Sequence, residues 1–151
     1  MSRTLITTAD ERTWPKDKKE PVLFLGEWCK RYSRKDIWET MDYKVVPYHW
    51  DDRDKLYSDY QYLQNLYNKS IIDVSEILNR AHDVNHGERY WKILLGPWIG
   101  YFSQILYDRW FMLRKALDEY DSLKCYCIAR EEGAFISNDM AQSIVFFNED
   151  S

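Results

Sequence analysis

The chain has no Gly-x-Gly-x-x-Gly, no Walker loop, no Gly-x-Ser-x-Gly and no Cys-x-x-Cys. Those absences remove the phosphate-cradling loops, the hydrolase nucleophile elbow and the thioredoxin-like dithiol as explanations for it. Glycine is scarce, with five residues, and the three cysteines are an odd number without framework spacing. Cys125 and Cys127 are two apart, so on a strand they share a face and do not bridge easily. A reducing compartment is the simplest reading. No long hydrophobic run is present either. The stretch from Ile93 to Leu106 is interrupted by Gly96, Pro97, Gly100 and Gln104 and flanked by Lys92 and Asp108, too short to span a bilayer. The N-terminal MSRTLITTADERTW lacks the apolar core of a signal peptide. Positive charge is not in excess: the net charge of −4 argues against a nucleic-acid binder that works by phosphate neutralisation. Together these point to a soluble cytoplasmic protein.

What is present is a foldable composition. Hydrophobic residues make up 45% and charged residues 30% of 151, enough for one packed domain and too apolar for disorder. Aromatics reach 17%, with seven Trp and twelve Tyr. Such rings suit burial with one hydrogen bond, interfaces, and stacking on ligands such as sugars, although core packing is the default for any single ring.

Arg3–Thr8 is β-branched and reads as a strand. Pro21 opens the apolar run Val22–Leu25, the pattern of a strand buried on both faces of a parallel sheet. Lys35–Met41 reads as a short helix with Ser33 as its N-cap, Tyr43–Pro47 as a weak strand, and His49–Lys55 as a polar loop. Apolar residues at spacings of three and four predict an amphipathic helix over 57–81. A turn over 82–88 leads to a second helix over 88–118, which Gly96-Pro97 should kink or split. Its middle is apolar nearly all round and should be central and buried. Lys124–Ala129 reads as a strand, and Ser137 caps a helix over 138–147. The order predicts an α/β fold, a partial Rossmann-like parallel sheet with long helices and right-handed crossovers.

Gly26-Glu27 follows the buried strand directly. In open parallel sheets, ligand crevices lie beyond the carboxyl ends of the strands, so Glu27 stands at such a lip, where a carboxylate can act as a general base. The plain alternative is a Glu held by Arg31 or by backbone N–H groups in the next turn. Lys30, Arg31, Arg34 and Lys35 form a cluster suited to a phosphate or carboxylate, or to a solvated face. His82 and His86 have the spacing of helical metal ligands, but Asn85 and Gly87 make the segment a turn, and no Cys or His completes a set, so no metal is expected. His49-Trp50-Asp51-Asp52 reads as a ligand loop or an exposed turn. Arg89, Trp91 and Trp98 surround the proline kink, with core packing as the default. Asp108 and Arg109 should find buried partners among the helices.

Three segments, LITTADERTW (5–14), PVLFLGEWCKRY (21–32) and RYWKILLGPWIGYFSQILYDRW (89–110), resemble the start of a family of large bacterial transferases associated with lipopolysaccharide O-antigen and other surface polysaccharides. The resemblance covers nearly the whole chain. It implies that residues 1–151 are the single N-terminal domain of a longer, two-domain (GT-B-like) glycosyltransferase. The first half of such an enzyme carries the acceptor contacts and the base; the second holds the nucleotide-sugar. Gly26-Glu27 is similar to the Gly-Glu pair of enzymes that transfer acidic sugars, which implies a catalytic role for Glu27. Trp28, His49, His86, Arg89 and Trp91 would then bind substrate. The implied partners are a nucleotide-sugar donor held by a further domain, a glycan acceptor and peripheral contact with the inner membrane. No cofactor is implied, and the chain alone should not catalyse transfer. The alternative expectation is a non-catalytic glycan- or partner-binding module.

Overall fold

The structure is a computed structural model that describes residues 2–129 together with 136, 137, 139, 141 and 142. Within them the chain forms two compact units, one from residues up to Tyr48 and from Met112 onward, the other from His49 to Phe111.

The first unit is built on four strands: β1 (Arg3–Ile6), β2 (Val22–Phe24), β3 (Tyr43–Val45) and β4 (Leu123–Cys125). All pairings are parallel and the spatial order is β3-β2-β1-β4. The expected α/β, partial Rossmann-like sheet is therefore found. Thr4 pairs with Val22 and Ile6 with Phe24, which puts the two most apolar runs at the centre. β2 is buried at every residue, as a strand covered on both faces must be. β3 and β4 flank them and are partly exposed. The order matters for function. β2 and β3 lie successively to one side of β1, and β4 lies on its other side, so the order in which strands are added reverses next to β1.

Leu5, Ile6, Trp14, Val22–Leu25, Cys29, Met41, Val46, Met112 and Ala116 form the core of this unit. Phe24 takes edge-to-face contacts from Trp14 at 5.5 Å and Tyr43 at 5.6 Å between ring centres. Helix α1 is shorter than the reading of 35–41, ending at Trp38 (Lys35–Trp38). Ser33 does not cap it. It lies inside a 3-10 turn over Tyr32–Arg34, and Arg34 holds the N-cap position without a side-chain bond.

The second unit holds helix α2 (Arg53–His82) and the first part of helix α3 (Glu88–Glu119). α2 starts earlier than hydrophobic periodicity indicates. The polar segment read as a loop is a 3-10 turn over His49–Asp51, followed by Asp52 as N-cap. Its carboxylate accepts from the N–H groups of Asp54 at 3.0 Å and Lys55 at 3.1 Å. Asp83 ends α2 in the left-handed conformation, φ 51°. Asn79 then closes the turn. Its Nδ2 donates to the His86 carbonyl at 2.9 Å, and its Oδ1 accepts from His86 N–H at 3.1 Å and Trp91 Nε1 at 2.9 Å.

Of the kink or split expected of α3 at Gly96-Pro97, the split does not occur: the helix runs unbroken through Pro97. The lost N–H would have reached the Ile93 carbonyl, and Ile93 is exposed, so solvent is at hand there. Nor is α3 buried all round. Leu94, Trp98, Phe102, Leu106 and Trp110, spaced by four, are all exposed, as are Ile93 and Tyr101. The expected strand over 124–129 is shorter, ending at Cys125, and the expected helix over 138–147 lies almost wholly outside the described residues.

Candidate functional site

Parallel pairing brings the carboxyl ends of β1 and β2 side by side, with Leu25 N–H donating to the Ile6 carbonyl at 2.9 Å. The chain then turns at Gly26 into a 3-10 turn, Glu27–Cys29. Two of the three residues in that turn face the sheet. Cys29 is buried, its Sγ 3.4 Å from the Ile6 carbonyl, and Trp28 Nε1 donates to the Thr7 carbonyl at 3.3 Å. The third, Glu27, is left pointing outward, its side chain 78% exposed and 3.0 Å from Lys30 Nζ. The ammonium of Lys30 also lies over the rings of Trp38, at 5.0 Å, and Tyr43, at 4.9 Å. It is thus a packed residue that pairs with an exposed carboxylate.

Beside it on the same edge is a polar crevice of about 350 Å³ lined by Asp10, Glu11, Arg12, Arg31, Ser33 and Arg34. Asp10 caps a short turn by accepting from Arg12 N–H at 3.0 Å and also takes the Arg12 guanidinium. Arg34 grips Glu11 with two bonds, Nε to Oε1 at 2.5 Å and a second nitrogen to Oε2 at 2.9 Å. That fork holds the Glu11 carboxyl below its usual range. The basic cluster seen in the sequence is therefore dispersed into pairs: Lys30 with Glu27, Arg34 with Glu11, Lys35 with Glu39 at 3.6 Å.

In the second unit, His49 is 3% exposed. Its Nε2 is 3.0 Å from Asp108 Oδ1, and since a carboxylate only accepts, that nitrogen carries the hydrogen. Asp108 also takes Arg109 at 2.7 Å, giving both residues the buried partners expected of them. His49 stacks on Phe111 at 4.8 Å and lies against Trp50 at 4.5 Å. Burial pushes its pKa down, and the bond to Asp108 only partly offsets this. Next to it, Asp59 accepts from Trp50 Nε1 at 2.9 Å, Tyr107 Oη at 2.8 Å and the Lys55 ammonium. Burial raises Asp59, but these three bonds outweigh it and leave the carboxyl below its usual range. Tyr107, half-buried and bonded to Asp59, is pushed up to about 12, mainly by burial. Sequence reading missed Asp59. Its one signal is its place four residues before buried Leu63, an acid on the apolar row of α2.

His86, Arg89 and Trp91 come together at the turn between the helices. His86 is exposed and stacks on Tyr90 at 4.1 Å, and Arg89 is exposed, whereas Trp91 is buried and bonded to Asn79. His49 belongs to the opposite end of α2, about 45 Å of helix away for 30 residues. Glu27 and Trp28 are neighbours in the first unit. Among the described residues, no group of three or more His, Cys, Asp or Glu side chains is arranged to hold a metal ion.

The family model of the LIC12162 family transferase matches residues 3–151. The chain belongs to that transferase family. No curated protein and no solved structure matches it. In this LIC12162 family transferase no helix among the described residues is long and apolar enough to cross a membrane. Glu27 is open to solvent at the end of β2, on the 3-10 turn that holds Trp28 and Cys29 against the sheet. His49, by contrast, is buried, with its Nε2 bonded to Asp108 and its ring packed between Trp50 and Phe111.

Proposed function

We propose that this LIC12162 family transferase is a glycosyltransferase of bacterial surface-polysaccharide synthesis, lipopolysaccharide or O-antigen, in which the sheet described above forms the acceptor side. The observation that carries the reading is Glu27, exposed at the carboxyl edge of an all-parallel sheet and held there by Gly26, Trp28 and Cys29. In the proposed reaction the Glu27 carboxylate takes the proton of an acceptor hydroxyl while its oxygen attacks the anomeric carbon of a nucleotide-sugar. The bond from that carbon to the leaving nucleoside phosphate breaks as the new glycosidic bond forms. Trp28 flanks the acceptor, and the donor is bound by a further domain in the cytoplasm.

The test is Glu27→Gln in the full-length enzyme, with release of nucleoside phosphate as the readout. General bases contribute roughly 10²–10⁴-fold, so turnover should fall by that order while the melting temperature stays put. Near-normal turnover would sink the assignment. A second reading, a glycan- or partner-binding module without catalysis, draws on the exposed rings of α3 such as Tyr101 and Trp110. It predicts glycan binding that survives Glu27→Gln together with no turnover of any nucleotide-sugar.

A further inference from the structure

The second unit holds a groove of about 690 Å³ between α2 and α3, within the size range of small-molecule sites. Leu56, Leu63, Ile93 and Pro97 form apolar walls, and the exposed rings of Tyr60 and Tyr101 stand at its rim. Two glycines lie on its α3 side, where Tyr67 packs over them. Gly96 and Gly100 are four apart and share a face of α3, and Tyr67 lies against both. A Cβ on Gly96 would stand 2.5 Å from the Tyr67 hydroxyl, and one on Gly100 3.7 Å from its ring.

Charge in this groove has one sign. Lys92 is the only side chain of the lining that is charged at neutral pH, and the lining holds no Asp or Glu, although the chain as a whole carries −4. The Lys92 ammonium is 5.7 Å from the Tyr67 ring centre, at the end of the groove nearer the interhelical turn. Trp50 and Leu56 lie toward the other end. Apart from Lys92 the polar groups of the lining are neutral amides, hydroxyls and one indole. A long apolar wall with one cation at one end fits a ligand with an apolar length and one anionic end.

We propose that this groove binds a single-chain amphiphile with an anionic head, the hydrocarbon chain lying between α2 and α3 and the phosphate or carboxylate meeting Lys92. The groove belongs to the second unit, whereas Glu27 belongs to the first, and the proposal does not depend on the glycosyltransferase reading. The probe is dodecyl phosphate, titrated calorimetrically below its micelle concentration. One molecule should bind per chain, inorganic phosphate should not bind, and dodecyl maltoside should bind at least about tenfold more weakly. Dodecanoate in parallel tells a carboxylate preference from a phosphate one. Lys92→Ala, at an exposed position, should weaken dodecyl phosphate by about tenfold, since it removes one charge-assisted contact. Gly100→Leu should abolish binding by filling the groove. Tyr101→Glu, at a position 63% exposed and so safe for folding, should do so by repelling the head and wetting the wall. Circular dichroism confirms that each variant is folded. The proposal is overturned by no saturable uptake of either dodecyl phosphate or dodecanoate, by uptake indifferent to Lys92→Ala and Tyr101→Glu, or by equal affinity for the maltoside.

Discussion

Residue 26 lies in extended backbone, φ −172°, which any amino acid adopts, so its glycine is a matter of space. The Trp28 indole occupies the volume where a Cβ would go. Gly26→Ala must displace that ring and the bond it makes to Thr7. The expected loss is about 1–3 kcal/mol of stability in urea unfolding, the usual cost of overpacking. Trp28→Leu in the same chain should recover most of the Gly26→Ala loss, and a simple sum of the two effects would contradict the packing account. The sequence shows a glycine at a strand end and suggests a turn or a ligand's approach. It does not show that the side chain two residues on folds back over it, because that contact depends on the 3-10 turn. His49 is a second case. Burial lowers its pKa below the ordinary 6.5, so the unfolded chain takes up the proton first. Stability is therefore present above pH 6.5 and lost as pH falls through the depressed folded value. Asp108 and Asp59 act against this shift and Lys55 with it. Unfolding free energy should drop between pH 7.5 and 5, and that drop should shrink in His49→Gln. An unchanged pH dependence in the variant would assign the effect elsewhere.

Helix α3 shows what an element's composition reveals and what it hides. Its 3.6-residue period and its length are legible from the spacing of apolar side chains. Its degree of burial is not, because a helix apolar all round looks the same whether or not every face is covered. The structure divides its residues sharply: Met112 is fully buried in the first unit, while Leu106 is 57% exposed. Met112→Ala should cost about 2–5 kcal/mol and Leu106→Gln less than about 0.5 kcal/mol in thermal or urea unfolding. The start of α2 was hidden for another reason. Asp51 and Asp52 interrupt the apolar period, so periodicity places the first turn too late, although Asp52 is a strong capping residue by type. Where the two helices of the second unit meet, Gly96 accommodates the Tyr67 hydroxyl. Gly96→Ala should destabilise the hairpin, and Tyr67→Phe, by removing the atom in the way, should restore part of the loss. Failure of that rescue would place the strain on the helix backbone instead.

At the scale of the whole molecule, the sheet was legible because Val22–Leu25, four apolar residues between Pro21 and Gly26, is too short for a buried helix and matches a strand covered on both sides. The strand order was not, because nothing local says which neighbours β1 takes. That order has a consequence for how the chain is made. Thr4 and its neighbours pair with β2 almost as soon as both are synthesised, but on the other side Arg3 must find Leu123. About 120 residues separate those partners, and a ribosome adding roughly 5–20 residues per second leaves one edge of β1 open for several seconds or more. An apolar strand with a free edge invites pairing with other nascent chains. Yield of soluble protein should therefore rise when translation is accompanied by a holding chaperone, and a trapped early chain ending before residue 120 should aggregate through residues 3–6.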